Sequence, residues 1–203
     1  MIADQRFSDA VEAAVTRIEA RTDVELVVVA APQSGSYSDL VHLAAAGWAL
    51  TGLAVLLFNP WFVSTPVAAL LDVVFCYGLG WYLMQHPALL YRMAGNERCA
   101  RQVHMAAAAE FHLEAVHTTP RRLGLLVYVS ALERRVELIG DVGLEALVPR
   151  GRWAAAAGEF RHDDLPHFLA GLEAIGDTLA EAAPRTDDPR VDLLNSPRIR
   201  GAT

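Results

Sequence analysis

Three acidic residues lie near the ends of the strands that the sequence predicts. Glu25 stands at the start of an apolar run, and Asp141 and Glu145 follow a later run that ends at Gly140. An open α/β sheet binds ligands beyond its strand ends, and carboxylates gathered there would bind a hard divalent cation such as Ca²⁺ or Mg²⁺. Glu25 is excluded from this site if it lies at the opposite end of the sheet. The alternative is that Asp141 caps a helix starting near Gly143 and that Glu145 favours the N-terminus of that helix.

Two adjacent arginines, Arg134 and Arg135, are the candidates for binding a phosphate group. A guanidinium group can hydrogen-bond two phosphate oxygens at once. The alternative is that both arginines lie in a solvated turn between two strands. The sequence contains no phosphate-binding loop, nucleophile elbow, HExxH or CxxC motif, and Ser130 lacks the flanking residues of a nucleophile elbow. The motifs therefore name neither a nucleophile nor a substrate.

One acid, Asp72, interrupts a nearly uncharged apolar stretch that runs from Leu43 to Met84. An ionisable residue within a membrane segment marks a functional site by default, which would make Asp72 a transport or proton-relay residue. The alternative is structural. Asp72 lies only about 9 Å into its helix at 1.5 Å per residue, so it can reach the outer headgroups or bond Thr51, Ser64 or Thr65.

The apolar stretch itself predicts a transmembrane hairpin. A membrane-spanning helix needs about 20 apolar residues, and the stretch supplies two arms near this length, at 41–58 and 66–84. Asn59-Pro60 ends the first arm, because proline disfavours the helical conformation of the residue before it. Pro66 can begin the second arm, since its missing N–H would be unpaired there anyway.

The placement of arginine predicts the orientation of this hairpin. The connector between the arms carries no charge, whereas arginines flank the other ends of the arms, at positions 6, 17, 21, 92, 98 and 101. Under the positive-inside rule, we expect a two-pass protein of the inner membrane with both termini and the globular domain in the cytoplasm. The two cysteines, Cys76 and Cys99, form no disulfide framework, in agreement with this compartment.

The composition is typical of an anchored globular protein. The 203 residues are 53% hydrophobic, with a mean hydropathy of +0.25 and a formal net charge of −7. An acidic chain without a basic stripe argues against nucleic acid as a partner, and the expected partners are the lipid bilayer and other membrane proteins. Every basic residue is arginine, which suits phosphate recognition but also follows from codon bias in a GC-rich genome.

Hydrophobic periodicity predicts the elements on either side of the hairpin. A helix covers 7–21, and a β-branched run at 24–30 indicates a buried strand. After the hairpin we expect helical segments at 87–117, 143–148, 153–161 and 165–182, and strands at 123–130 and 135–140 joined by a turn at 131–134. The strand at 24–30 cannot form a sheet alone, so it needs the two later strands.

This dependence sets the predicted domain organisation. Residues 1–40 and 87–183 are the two parts of one α/β domain, and residues 41–86 are the transmembrane hairpin inserted between them. Residues 184–203 are polar and rich in proline, which predicts a disordered tail.

Two segments carry a resemblance to a known family. The strand-and-loop sequence VELVVVAAPQSGSY and the later run RRLGLLVYVSALERRVELIGDVGLEALV, together with the final helices, resemble the TPM domain family. The similarity is greatest to bacterial members with a hydrophobic hairpin between the first strand and the next helix. The resemblance implies a three-layer α/β/α sandwich around a small mixed sheet, interrupted here by the two-helix transmembrane hairpin.

The function that this resemblance implies is broad. Phosphatase activity is ascribed to some plant members, and others resemble assembly, repair or receptor accessory factors. Members often carry a Gly-Tyr-Gly-type corner after the third strand, where this sequence has Gly140-Asp141-Val142-Gly143. We therefore expect a partner-binding or quality-control factor at the inner membrane. A weak metal-assisted phosphatase is the alternative, and a transporter subunit using Asp72 is a third hypothesis.

Overall fold

Four strands form one mixed sheet in the computed structural model, which describes residues 5–58, 65–148, 152, 156, 160, 164–186 and 195–201. The strands are β1 (Glu25–Ala31), β2 (Gly124–Ser130), β3 (Arg135–Gly140) and β4 (Arg198–Ile199). β1 and β2 are parallel neighbours at the centre, β3 runs antiparallel to β2, and β4 runs parallel to β1. The order across the sheet is therefore β3-β2-β1-β4.

Seven α-helices accompany the sheet among the described residues. They are α1 (Gln5–Glu19), α2 (Ser38–Phe58), α3 (Thr65–Gln85), α4 (Pro87–Ala94), α5 (Asn96–Leu113), α6 (Val142–Leu147) and α7 (Leu165–Ala182). Two 3₁₀ turns, Val116–Thr118 and Pro120–Arg122, lead from α5 to β2. The predicted helix at 153–161 falls largely outside the described residues.

Helices cover both faces of the two central strands. Leu26, Val28 and Ala30 of β1 pack in one core with residues of α1 and α7, whereas Val27 and Val29 pack in a second core with residues of α5. Successive side chains of a strand point to opposite faces, so strands covered on both faces form continuous apolar runs. The predicted three-layer α/β/α arrangement around a small mixed sheet is confirmed.

Helix α1 packs on α7 through an apolar stripe. Phe7, Val11 and Ile18 are buried on this face, and the ring of Phe7 lies 5.7 Å from the ring of Phe168. A Cβ at Gly176 would lie 2.7 Å from Ile18 Cγ1, so the glycine permits a close approach of the helices. Each large apolar side chain buried here stabilises the fold by roughly 1.5–3 kcal/mol.

The chain divides into two compact units. One comprises Met1–Ser34 together with Ala100–Thr203, and the other comprises Gly35–Cys99. The first unit joins segments from both sides of the hairpin in one sheet. The strand at 24–30 pairs there with a later strand, which it needs to form a sheet. The second unit contains α2, α3 and α4, so it extends beyond the predicted hairpin at 41–86.

Within the second unit, α2 and α3 pack against each other as a pair. Trp48 of α2 stacks on Phe75 of α3 with the ring centroids 4.7 Å apart. Arg98 forms a bidentate ion pair with Asp39, with both N–O distances at 2.8 Å, and its guanidinium lies over the ring of Tyr37. By length and composition, α2 and α3 are each able to cross a membrane.

The predicted helical stretch at 87–117 is interrupted twice. Gly95 adopts a φ of +76° between α4 and α5, a conformation that glycine adopts at no steric cost. Ala115 adopts a φ of 55° beyond the end of α5. Periodicity could not reveal these breaks, because apolar residues continue on both sides of each.

The C-terminal segment differs from the predicted disordered tail wherever the structure describes it. Pro184 forms a bridge with Thr22, the backbone N–H of Thr186 donates to Asp23, and Arg198–Ile199 forms β4. The described residues of the segment are held by polar contacts with distant parts of the chain. Composition alone does not register contacts of that kind.

Candidate functional site

A polar network lies at the carboxyl ends of the parallel strands β1 and β2, the side of the sheet called the carboxyl edge below. β1 and β2 end together, with Ala31 paired to Ser130, and the two following loops stay connected by the backbone bonds from Ala131 to Ala31 and from Leu132 to Pro32, both 3.0 Å. This edge is where open α/β sheets bind ligands.

Two serines, one tyrosine and one glutamate form this network. The Ser34 hydroxyl donates to Ser130 Oγ at 2.6 Å, and the Ser130 hydroxyl donates to the carboxylate of Glu133. The backbone N–H of Ser34 also donates to the Glu133 carboxylate, at 3.0 and 3.2 Å to its two oxygens. The phenol oxygen of Tyr128 lies 3.2 Å from Ser34 Oγ. The four residues are therefore connected through Ser34.

Burial makes this network costly to break. Ser130 and Glu133 are fully buried and Tyr128 is nearly so, whereas Ser34 is half-buried. Burial raises the pKa of the Tyr128 phenol, and the carboxylates of Glu110 and Glu133 raise it further. A buried carboxylate is tolerated when hydrogen bonds compensate it, as the Ser34 and Ser130 donors do here. The arrangement fixes the position of the Ser34 hydroxyl at the edge of the sheet.

No local sequence pattern predicts these four residues as one network. Ser130 ends an apolar strand and Glu133 lies in the turn that follows it. Exposed polar residues are equally common in that pattern. The third member, Ser34, lies in a loop distant in sequence, and only the register of β1 against β2 brings it to the same edge. The available signal was the expectation that loops after neighbouring parallel strands meet at one edge.

The predicted cation ligands lie at the other edge of the sheet. Glu25 pairs with Gly124 at the start of both parallel strands, and the backbone N–H of Asp141 donates to the carbonyl of Gly124 at 2.9 Å. Glu25 and Asp141 therefore share an edge, so Glu25 is not excluded by position. This is the amino edge of the parallel strands, however, and not the carboxyl edge at which ligands are expected.

The carboxylate of Asp141 is already engaged by the protein. Arg122 donates to both of its oxygens, at 2.7 and 2.8 Å, and the backbone N–H of Val142 donates at 2.7 Å. The hydrogen bonds between Arg122 and Asp141 raise the pKa of the Arg122 guanidinium. Asp141 is the N-cap of α6, and Glu145 lies in its first turn. Both positions agree with the alternative interpretation, in which these two acids serve the following helix, although that helix begins at Val142 rather than near Gly143.

The described residues contain no group of three or more His, Cys, Asp or Glu side chains arranged to hold a metal ion. The proposed cation site at Glu25, Asp141 and Glu145 stays a prediction that this geometry does not favour. Arg134 is exposed in the turn between β2 and β3 with a φ of 52°, and Arg135 begins β3 opposite Ser130. Their positions agree with the turn interpretation, and phosphate binding by them stays a prediction.

Asp72 is half-buried on α3, within the second unit. A Cβ at Gly52 of α2 would lie 2.2 Å from Asp72 Oδ1, so the carboxylate rests against the backbone of the facing helix. The Thr51 hydroxyl donates to the carbonyl of Gly47 in its own helix, at 2.9 Å. Ser64, another predicted partner of Asp72, lies outside the described residues.

Comparison with known proteins supports the fold alone. No protein-family model matches the chain, and no curated protein matches it. The chain is similar to the NMR structure of the BA42 protein from the psychrophilic bacterium Bizionia argentinensis, with a TM-score of 0.57 and 15% sequence identity, over 97% of this chain and 94% of that chain. The resemblance to the TPM domain family stays a prediction.

Proposed function

We propose that the protein is an α/β domain anchored in the inner membrane, with its globular unit in the cytoplasm, and that it acts by binding other membrane proteins in their assembly or quality control. The observation that carries this proposal is the exposure of α2 and α3. The most apolar parts of these 21-residue helices are 0% and 6% buried within the protein.

The exposed apolar surface of these helices supports the proposed lipid environment. Leu57 is 70% exposed, Leu70 65% and Tyr77 80%, and apolar side chains are exposed along both helices. Soluble monomers rarely expose apolar patches beyond a few hundred Å². A helix of 21 residues is about 31 Å long, which matches the hydrocarbon thickness of about 30 Å. A core helix of a soluble protein would bury these side chains instead.

The proposed orientation is tested by reporter fusions. A reporter that is active only outside the cytoplasm is fused after Ser64, in the connector, and a reporter that is active only in the cytoplasm is fused after Pro184. We expect both fusions to be active, because the arginines flank the hairpin on the side away from the connector. A cytoplasmic Ser64, or release of the protein from membranes by alkaline carbonate, would overturn the proposal.

The enzymatic alternative needs a different variant from the obvious one. Replacing Asp141 removes the ion pair with Arg122 and the cap of α6, so lost turnover could reflect lost folding. The purified full chain is therefore assayed on phosphomonoesters with Mg²⁺ or Ca²⁺, alongside Glu145→Gln. Metal-dependent turnover that Glu145→Gln abolishes, with unchanged melting, would contradict a non-enzymatic role.

A further inference from the structure

The C-terminal segment lies on the edge of β1 as an added strand. Arg198 pairs with Val29 and Ile199 pairs with Ala30, and the backbone N–H of Arg200 donates to the carbonyl of Ala30 at 2.9 Å. Extended peptides bind other proteins in this way, through main-chain bonds to a sheet edge with side-chain pockets that give specificity.

Two glutamates, Glu110 in the last turn of α5 and Glu114 just beyond its end, form ion pairs with the arginines of this C-terminal segment. Arg198 Nε donates to Glu114 at 2.7 Å, and Arg200 donates to both oxygens of Glu110 at 3.0 and 2.5 Å and also to Glu114. The side chains of Glu110 and Glu114 are only 14% and 13% exposed. The Arg198 side chain is 16% exposed and that of Arg200 39%, so salt screens the Arg198 pair much less than a pair between exposed residues.

The spacing of the four charges is matched across the two elements. Residues two apart in a strand point to the same side and lie about 6.6 Å apart, while residues four apart in a helix lie on one face about 6 Å apart. Glu114 lies just past α5, but its backbone N–H still donates to the carbonyl of Glu110 at 2.9 Å, so the helical spacing applies to this pair. An Arg-x-Arg segment therefore aligns with the two glutamates at the end of the helix. The intervening Ile199 is 42% exposed, so the site places little demand on the central residue.

The segment just before the arginines contacts α1. The Ser196 hydroxyl donates to Glu12 at 2.6 Å, and the side-chain amide of Asn195 donates to Thr16 at 3.1 Å. These contacts involve exposed residues, whereas the arginine contacts are partly buried. The arginines and the short strand are thus the specific part of the interaction.

We propose that the edge of β1 together with Glu110 and Glu114 is a recognition site for extended Arg-x-Arg segments of other membrane proteins, and that the protein's own residues 196–200 occupy it until such a segment displaces them. The identity of the partner rests on the proposed function. A domain at the cytoplasmic face meets the membrane-proximal segments of its neighbours, which are enriched in arginine and lysine.

The short length of β4 favours its replacement on β1 by a segment of another protein. Only two residues of β4 pair with β1, so the main-chain contribution is small. The segment nevertheless competes at a high effective concentration, of the order of millimolar, because it belongs to the same chain. A free peptide therefore competes poorly with the intact segment, whereas a partner concentrated in the same membrane competes well.

The site is tested with the full chain in detergent and a fluorescent peptide NSPRIRG, the sequence of residues 195–201. We expect Arg198→Ala/Arg200→Ala to bind the peptide at least tenfold more tightly than the unaltered chain, because its own segment no longer competes. Adding Glu110→Gln/Glu114→Gln should weaken this binding at least tenfold. Glu181→Gln, on the exposed surface of α7, is the matched control, and NSPAIAG is the control peptide.

Arg200→Ala alone provides a second variant, because it retains the Arg198 pair and should show an intermediate gain in peptide binding. Equal binding by all variants, binding indifferent to Glu110 and Glu114, or equal binding of NSPAIAG would overturn the recognition site. The peptide assay uses no membrane and the reporter fusions use no peptide, so failure of the site is distinguishable from failure of the proposed anchor.

The membrane partner is tested by reconstituting the double arginine variant with a synthetic single-span peptide that carries PRIRG beside its apolar segment. Energy transfer between dyes on the two molecules should exceed that with a PAIAG version. Binding of free NSPRIRG without any difference between the two spanning peptides would overturn a membrane-protein partner.

Discussion

The carboxylate of Asp72 on α3 occupies the space that a side chain at Gly52 on α2 would need. A Cβ at Gly52 would lie 2.2 Å from Oδ1, 2.6 Å from Cγ and 3.0 Å from Oδ2. Atoms do not approach this closely, so any side chain at position 52 would force either the Asp72 carboxylate or the two helices to move. The only acid of the apolar stretch is thus accommodated by a glycine on the opposite arm.

The first prediction follows from this contact. Gly52→Ala should lower the free energy of unfolding of the detergent-solubilised protein by about 1 kcal/mol, the cost of forcing Asp72 from its preferred rotamer. Gly47→Ala, at a position on α2 with nothing within 4 Å of the new Cβ, is the control and should not destabilise, because alanine is favoured over glycine inside a helix. Thermal melting measures both. If Asp72→Ala does not reduce the effect of Gly52→Ala, the contact is not its cause.

A second prediction concerns the start of α6. A Cβ at Gly143 would lie 2.2 Å from the carbonyl oxygen of Arg121 and 2.7 Å from that of Arg122, and backbone atoms cannot rotate away. Gly143→Ala should therefore cost about 1–3 kcal/mol of stability. Gly140→Ala is the nearby control, since its Cβ would make ordinary contacts at 3.5 Å or more. Equal melting temperatures for the two variants would contradict the close approach.

The third prediction tests the network at the carboxyl edge. Glu133→Ala leaves the Ser34 N–H and the Ser130 hydroxyl without their acceptor, at about 1–3 kcal/mol for each buried group. Glu133→Gln retains an acceptor oxygen and should cost less, and Tyr128→Phe should cost about 1 kcal/mol. Denaturant unfolding in detergent ranks the three. A loss for Glu133→Ala no greater than that for Tyr128→Phe would mean that Glu133 does not organise the network.

A fourth prediction concerns acid stability. Burial alone would raise the pKa of Asp23, but hydrogen bonds from Thr186 and the charges of Arg121 and Arg185 lower it below its ordinary value. Because the folded-state pKa is depressed, the stabilisation is present above the unfolded value of about 3.9 and is lost as the pH falls through the lower folded value.

Asp23→Asn should accordingly be less stable than the unaltered chain at pH 6, and the difference should disappear at the acid end of the range. Melting temperatures recorded between pH 6 and pH 2.5 measure this convergence. Asp177→Asn is the control, because Asp177 is 70% exposed in its ion pair with Arg21 and such pairs contribute little. A difference that persists at the lowest pH would contradict the assignment to the Asp23 charge.

The fold was more predictable than the site because its elements carry local signals. Apolar runs located β1 and β2, the turn at 131–134 placed the start of β3 at Arg135, and α7 begins and ends where periodicity indicated. These features depend on residues close together in sequence, and the sequence registers them directly.

The polar contacts depend on long-range register instead. Ser34 meets Glu133 only because β1 and β2 pair in one particular alignment, and Arg200 meets Glu110 only because the C-terminal segment returns to β1. Local composition predicts neither of these long-range contacts. For the same reason, the proline-rich composition of the tail predicts disorder, although Arg198 and Arg200 have partners in the folded unit.

The position of β1 has a consequence for biosynthesis. This strand is translated before α2 and α3, while its neighbours β2 and β4 are translated after them. All seven residues of β1 are buried in the folded unit, so under the proposed membrane topology the nascent chain must hold an apolar, unpaired strand while α2 and α3 insert. Exposed strands of this kind aggregate readily. Under the same proposal, targeting to the membrane precedes completion of the sheet, and delayed insertion would leave α2, α3 and β1 as substrates for chaperones and proteases.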